Sequence, residues 1–134
     1  MQNAPLTNDQ IRDWYLEQIS QINALNEQMI KENVSLHERA YRLWEFRHNL
    51  RLEARKKMRD EDEVDLLRAR DMRKYGNPDG PSFEFLFQTA QNEGLTGNAI
   101  YEEIILTSAR TDTETNKNYG SGRRSEERED ENEK

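Results

Sequence analysis

The sequence contains no cysteine, which excludes a disulfide framework, a thiolate zinc site and a cysteine nucleophile. Only two histidines occur, His37 and His48. At that separation they share no helical face with a third ligand in any usual zinc spacing. No apolar run approaches the ~18 residues of a membrane span, and the N-terminus shows no signal-peptide core. A soluble cytoplasmic protein that does not enter a membrane is therefore expected. There is no Gly-rich phosphate loop, no G-x-S-x-G elbow and no H-E-x-x-H helix. Asn77, Asp79 and Gly80 match part of a calcium loop, but Tyr75 and Leu86 stand where that pattern needs acids. A turn explains them fully. Glu102 and Glu103 are the one carboxylate pair in a helix near aromatics. Adjacent helical residues point roughly 100° apart, so the two do not act together as acid and base across a bond. The expectation is a protein that is not an enzyme and needs no cofactor or metal.

Glycine and proline are also scarce. Neither occurs between Ser35 and Tyr75, and this stretch dominates the chain. Ser35 and Glu38 have capping-box form, a hydroxyl for an orphan N–H and a carboxylate three residues on that reaches back. The stretch closes on Gly76, the residue that best tolerates the left-handed position after a helix. Unbroken, it makes a rod roughly 60 Å long. Alternatively, Asp60 with Glu63 caps a new helix and the rod breaks near Arg59. The pairs Lys56–Asp60, Lys57–Glu61 and Arg59–Glu63 bridge the continuous rod at i, i+4, in the weaker orientation.

Charge is what the sequence has in abundance. Charged residues make up 35% and hydrophobic ones 33%, a supply that suits a thin core. At 134 residues one domain is expected. The 27 acids against 20 bases leave a net charge of −7, which argues against a protein that coats nucleic acid as a whole.

Residues 1–6 are expected to fray. Thr7, Asn8, Asp9 and Gln10 offer caps for an amphipathic helix running to about Asn33. Ile11, Trp14, Tyr15, Ile19, Ile22, Leu25, Met29 and Ile30 fall on one arc of roughly 160°. Tyr15, Ile22, Met29, Leu36, Leu43 and Leu50 recur at every seventh position, like a coiled-coil series, although only half of the matching d positions are apolar. The Ser35 cap favours a helical hairpin over one rod, though no glycine or proline forces a turn near Asn33 and Val34.

The second helix has two apolar flanks, Leu43, Phe46 and Leu50 on one side and Tyr41, Trp44 and His48 on the other. Between them run Arg47, Arg51 and Arg55 at i, i+4, i+8. Residues 39–59 hold eight basic side chains against Glu45 and Glu53. Beside Tyr41 and Trp44 these guanidinium groups suit phosphates and stacked bases. The competing and preferred reading packs the long stems on apolar neighbours and sends the heads to carboxylates of the C-terminal hairpin or of a protein partner.

Residues 76–82 form the clearest loop. A short helix follows with Phe83, Leu86, Phe87 and Ala90 on one face, then a glycine turn and a helix presenting Ile100, Tyr101, Ile104 and Ile105. Residues 75–110 carry one base and five acids, so this half complements the basic long helix. From Thr111 onward the composition turns to Thr, Asn, Gly, Ser, Glu and Arg, which reads as a disordered tail.

Lys74 to Phe83, with Gly94 to Ile105 and Ser108 to Thr111, resembles a small helical module associated with bacterial polymorphic (Rhs-type) toxin systems. The resemblance implies bacterial origin and a role in toxin delivery, association or immunity. It offers no catalytic motif to carry over.

The fold expected is all-α. A long antiparallel helical hairpin of coiled-coil character spans 7–75 and a loop 76–82. A short hairpin over 83–110 and a tail over 111–134 complete it. Ile11, Ile22, Met29, Leu43, Leu50, Phe83, Leu86, Ile100 and Ile104 should be buried. The functional reading is a non-catalytic protein-interaction module, binding a partner or a second copy through the long helix, with Tyr41, Trp44, Arg47, Arg51 and Arg55 as the interaction residues. Two alternatives stand beside it: an accessory or immunity protein of a toxin system, and RNA or DNA binding through the arginine stripe.

Overall fold

The computed structural model describes residues 6–111. The expected fraying of the N-terminus, apart from Leu6, and the expected tail beyond Thr111 lie outside the described residues. The architecture is all-α, with six helices among the described residues: α1 (Asn8–Ile19), α2 (Ile22–Lys31), α3 (Leu36–Lys57), α4 (Glu61–Tyr75), α5 (Phe83–Asn92) and α6 (Asn98–Ala109).

α1 opens on a full capping box. The Thr7 hydroxyl accepts from the Gln10 amide at 3.1 Å, and the Gln10 side chain accepts from the Thr7 amide at 2.9 Å. The single N-terminal helix expected to Asn33 is in fact two. At the break, the Ser20 hydroxyl donates back to the Glu17 carbonyl at 2.6 Å, a local bond that competes with helix propagation. Ile19 and Ile22, one on either side of the break, are both buried, at 1% and 0% exposure.

Asn33 supplies the turn that neither glycine nor proline provides. Its φ is +62°, in the left-handed region that asparagine tolerates better than most residues. Val34 donates to the Met29 carbonyl at 2.9 Å and Asn33 to the Ile30 carbonyl at 3.0 Å. These are the two bonds of a Schellman motif. The chain then reverses into α3, where the Ser35 hydroxyl accepts from the Glu38 amide at 3.1 Å. Only half of the expected reciprocal box forms, because the Glu38 carboxylate takes the Arg42 side chain at 2.8 Å instead.

The long rod is broken. α3 ends at Lys57, Met58 is extended with its side chain buried, and Asp60 caps α4 by accepting from the Asp62 and Glu63 amides at 2.9 and 3.3 Å. A carboxylate there satisfies two orphan donors and favours the positive helix end, so the acidic block starts a helix rather than bridging one. Lys57, instead of pairing with Glu61, lies over the Trp14 ring at 4.7 Å.

α3 is the spine. α1 and α2 run antiparallel to it, with Asn26 beside Arg39 and Trp14 beside Lys57. α6 runs parallel to it, with Tyr101 near His37 and Ser108 near Arg47, and α5 packs on α6. The seventh-residue series therefore crosses three helices and converges on one core cluster instead of forming a coiled-coil seam. Leu36 is the one member only half-buried. Phe83 and Leu86, expected inside, cover the core from its edge and are also half-buried. Leu25 and Ile30 are exposed at 37% and 50%. Among the described residues, no helix is long and apolar enough to cross a membrane.

Candidate interaction surface

The arginine stripe lies inside the protein. Arg47, Arg51 and Arg55 are 7%, 4% and 6% exposed, so they do not form the outward basic face that phosphate recognition needs. Withdrawing a guanidinium from water costs several kcal/mol unless acceptors replace the solvent, and the fold supplies them. Arg47 donates to the carbonyls of Ser108 and Arg110, both at 2.7 Å, and through Nε to the Tyr15 hydroxyl at 3.0 Å. A cation at the last carbonyls of α6 meets both its unsatisfied acceptors and the negative end of its dipole.

Arg55 donates to the Pro78 carbonyl at 2.7 Å and forms an ion pair with the fully buried carboxylate of Asp71. The other Asp71 oxygen accepts from Arg70 at 3.2 Å. The Arg51 side chain passes close to Gly80, whose φ is +102°. A Cβ at that glycine would stand 2.8 Å from the Arg51 Cζ and 2.9 Å from its Cδ, so only glycine admits the guanidinium there. The heads of Arg47 and Arg55 thus find mainly backbone carbonyls and an α4 carboxylate, where carboxylates of the hairpin were expected. Asp71 is the residue the sequence concealed. On a charged helix nothing marked it as the buried acid, except that it follows Leu67 by one helical turn.

The other two candidate residues remain at the surface. Tyr41 is 40% exposed and Trp44 is half-buried. Their rings lie 5.4 Å apart, and Phe83 reaches Tyr41 edge-on at 5.4 Å. The Trp44 indole N–H donates to the Pro81 carbonyl at 2.9 Å, which fixes the ring against the loop. His37 continues the row, edge-on to Tyr101 at 5.1 Å. Together Trp44, Tyr41, Phe83, His37 and Tyr101 make an aromatic edge where α3 meets α5 and α6. Exposed Glu45, Glu84 and Glu102 are near neighbours of these rings in sequence or one helical turn away. Among nearby cations, Arg42 is tied to Glu38. The sequence indicated the α3 half of this edge, but only the fold adds His37, Phe83 and Tyr101.

His48 stacks on Trp44 at 5.1 Å with an interplanar angle of 16°. Burial pushes its pKa below the usual 6.5; Arg51, and less strongly Arg55, push the same way against Asp79 and Glu45. At neutral pH the imidazole stacked on Trp44 is therefore uncharged.

The loop between α4 and α5 is held by α3 through Trp44, Arg51 and Arg55. Within it, the Asn77 side-chain oxygen accepts from the Asp79 amide at 2.8 Å, and Asp79 pairs with Arg68 at 2.6 Å. Both calcium-like residues are thus engaged in the turn. Among the described residues, no group of three or more His, Asp or Glu side chains is placed to hold a metal ion. No family model, curated protein or solved structure matches the chain.

Proposed function

We propose that the chain is a non-catalytic protein-interaction module that engages its partner through the aromatic edge centred on Tyr41 and Trp44. The observation that carries this reading is the exposure of Tyr41 within a fixed row of rings. Rigid aromatic side chains contribute large contact area at low entropic cost and are enriched at binding hot spots. The neighbouring Glu45, Glu84 and Glu102 suit a partner that presents Lys or Arg around an apolar centre. Arginine burial favours this over nucleic-acid binding, because all three cations named for phosphate recognition are buried and two of them, Arg47 and Arg55, have internal acceptors.

The toxin-linked reading is compatible with the same surface. The segments that resemble the toxin-associated module supply the loop, the start of α5 and most of α6, and hence Phe83 and Tyr101 of the edge. In that reading the partner is a toxin of the same system.

The test is affinity capture with wild-type chain beside Tyr41→Glu and Phe83→Ala, followed by titration calorimetry with the purified captured protein. Stoichiometric binding to wild type, with a loss of at least about tenfold in either variant at unchanged helicity, is the expected outcome. Equal binding by all three chains would remove the aromatic edge from the reading. Rescue of a co-expressed neighbouring toxin, lost in the same variants, would identify the partner class.

A further inference from the structure

The outer face of α4 carries two of the exposed large hydrophobic side chains, Leu66 and Met72. Its backbone touches the other helices only lightly. Side chains hold it: Leu67 enters the core, Asp71 pairs with Arg55 and Arg70, Arg68 meets Asp79, and Glu63 accepts from Asn8 at 3.1 Å. The buried residues Leu67 and Asp71 mark one side of the helix. On the opposite side, at i, i+4, i+7 and i+11, stand Asp62, Leu66, Ala69 and Arg73, all exposed. Leu66 is 56% exposed, and Met72 beside the stripe is 54% exposed.

The order along this stripe is acid, apolar, apolar, base. Turned end for end, it presents base to acid and apolar to apolar. The helix dipole explains why acids gather at the start of α4 and bases at its end. It does not explain a leucine and an alanine at the exposed centre.

We propose that α4 is a self-association surface on which two copies of the chain pair antiparallel, about a two-fold axis between Leu67 and Arg68. In that register Leu66 packs on the partner's Ala69, whose small side chain allows the helices to approach closely. Asp62 meets the partner's Arg73. Two-fold symmetry makes every contact twice, which is the simplest closed assembly. Two chains of net charge −7 repel overall, so the local match of opposite charges sets the register and orientation. A pair of 15-residue helices buries less than the ~1,200 Å² of a stable complex, so the dimer is weak and forms at high protein concentration. The inference goes beyond the partner surface proposed above: it uses a different helix and does not require Tyr41.

Sedimentation equilibrium of the full chain over a concentration series, at low and high salt, tests it. A reversible monomer–dimer equilibrium that weakens with salt is expected. Leu66→Glu and Arg73→Glu should each weaken association at least about tenfold. The exchange D62R/R73E should restore it, because it rebuilds the same pairs with the charges reversed. Tyr41→Glu should leave it unchanged. Circular dichroism and a thermal midpoint on each variant keep folding defects separate from association. A monomer at every concentration, a dimer indifferent to Leu66→Glu, a dimer lost with Tyr41→Glu, or no recovery in the double exchange would each overturn the proposal.

Discussion

Arg55 and Asp71 show how a buried ion pair acts on this fold. The pair joins α3 to α4, and Arg55 also reaches the Pro78 carbonyl in the following loop. The pair as a whole contributes little net stability, because desolvation offsets much of the attraction, but removing Arg55 leaves the buried Asp71 carboxylate with Arg70 in place of two cations. Arg55→Met should therefore cost up to about 3–5 kcal/mol by urea denaturation, and the joint change Arg55→Met with Asp71→Leu should recover part of that loss, since Arg70 then loses its own contact. A cost below about 1 kcal/mol for the single change would place the pair in the weak, solvated class instead. His48 gives a second test at this scale. Its folded pKa is depressed, so in the window below 6.5 the unfolded chain binds the proton more readily. The stability contributed by the neutral ring is then fully present above 6.5, declines as pH falls through the interval down to the folded pKa, and levels off below it. The groups facing the ring are Arg51 and Arg55, which disfavour the charge, and Asp79 and Glu45, which favour it. His48→Gln should flatten the stability–pH curve across that interval. An unchanged slope in the variant would assign the dependence to other groups.

At the scale of elements, the side-chain-capped helix starts and the stop at Gly76 were legible, whereas the start of α2 was not. Thr7, Ser35, Asp60 and Ser82 each carry a side-chain oxygen that accepts from a backbone amide in the first turn, a local event that sequence alone encodes. The boundaries of α2 were less plain. The break at Ser20 was missed because the amphipathic pattern runs through it, while the bond of its hydroxyl to the Glu17 carbonyl is a choice of side-chain conformation that the pattern does not show. The end of α2 needed Asn33 to take a left-handed conformation, which a search for glycine and proline overlooks. The arginine stripe shows the same limit at the site: its spacing was plain, but its acceptors are mostly carbonyls of distant segments that no residue type announces. Two substitutions measure these local terms. Asp60→Ala should cost about 1 kcal/mol, since it removes the acceptor for two amides. Asn33→Val should cost about 1–2 kcal/mol, because a β-branched residue resists positive φ, whereas Asn33→Gly should be neutral or stabilising. Thermal and urea midpoints on the three variants check the order. Equal stability for Asn33→Val and wild type would mean the turn does not depend on that conformation.

Across the whole molecule, two small clusters, one at the C-terminal end of α3 and one about its middle, report on one cooperative unit. Trp14 sits under Lys57, near the end where α1 and α3 meet α4. Trp44 sits between His48, Tyr41 and the Pro81 carbonyl, where α3 meets α5. The core joins them without interruption, because Ile11, Tyr15 and Ile19 of α1, Leu43 and Leu50 of α3, and Ile100 and Ile104 of α6 belong to one buried cluster. Arg47 strengthens the union by contacting Tyr15 of α1 and the end of α6 at once. A chain of this size with one continuous core should unfold in a single transition. In Trp14→Phe only Trp44 fluoresces, and in Trp44→Phe only Trp14. Within each variant the fluorescence midpoint in urea should coincide with the midpoint from helical circular dichroism. The comparison is made inside each variant because Trp44→Phe also loses the bond to the Pro81 carbonyl and shifts the midpoint itself. Separate midpoints would divide the fold into an N-terminal hairpin and a C-terminal half. Arg47 would then be a contact between two units instead of a tie within one.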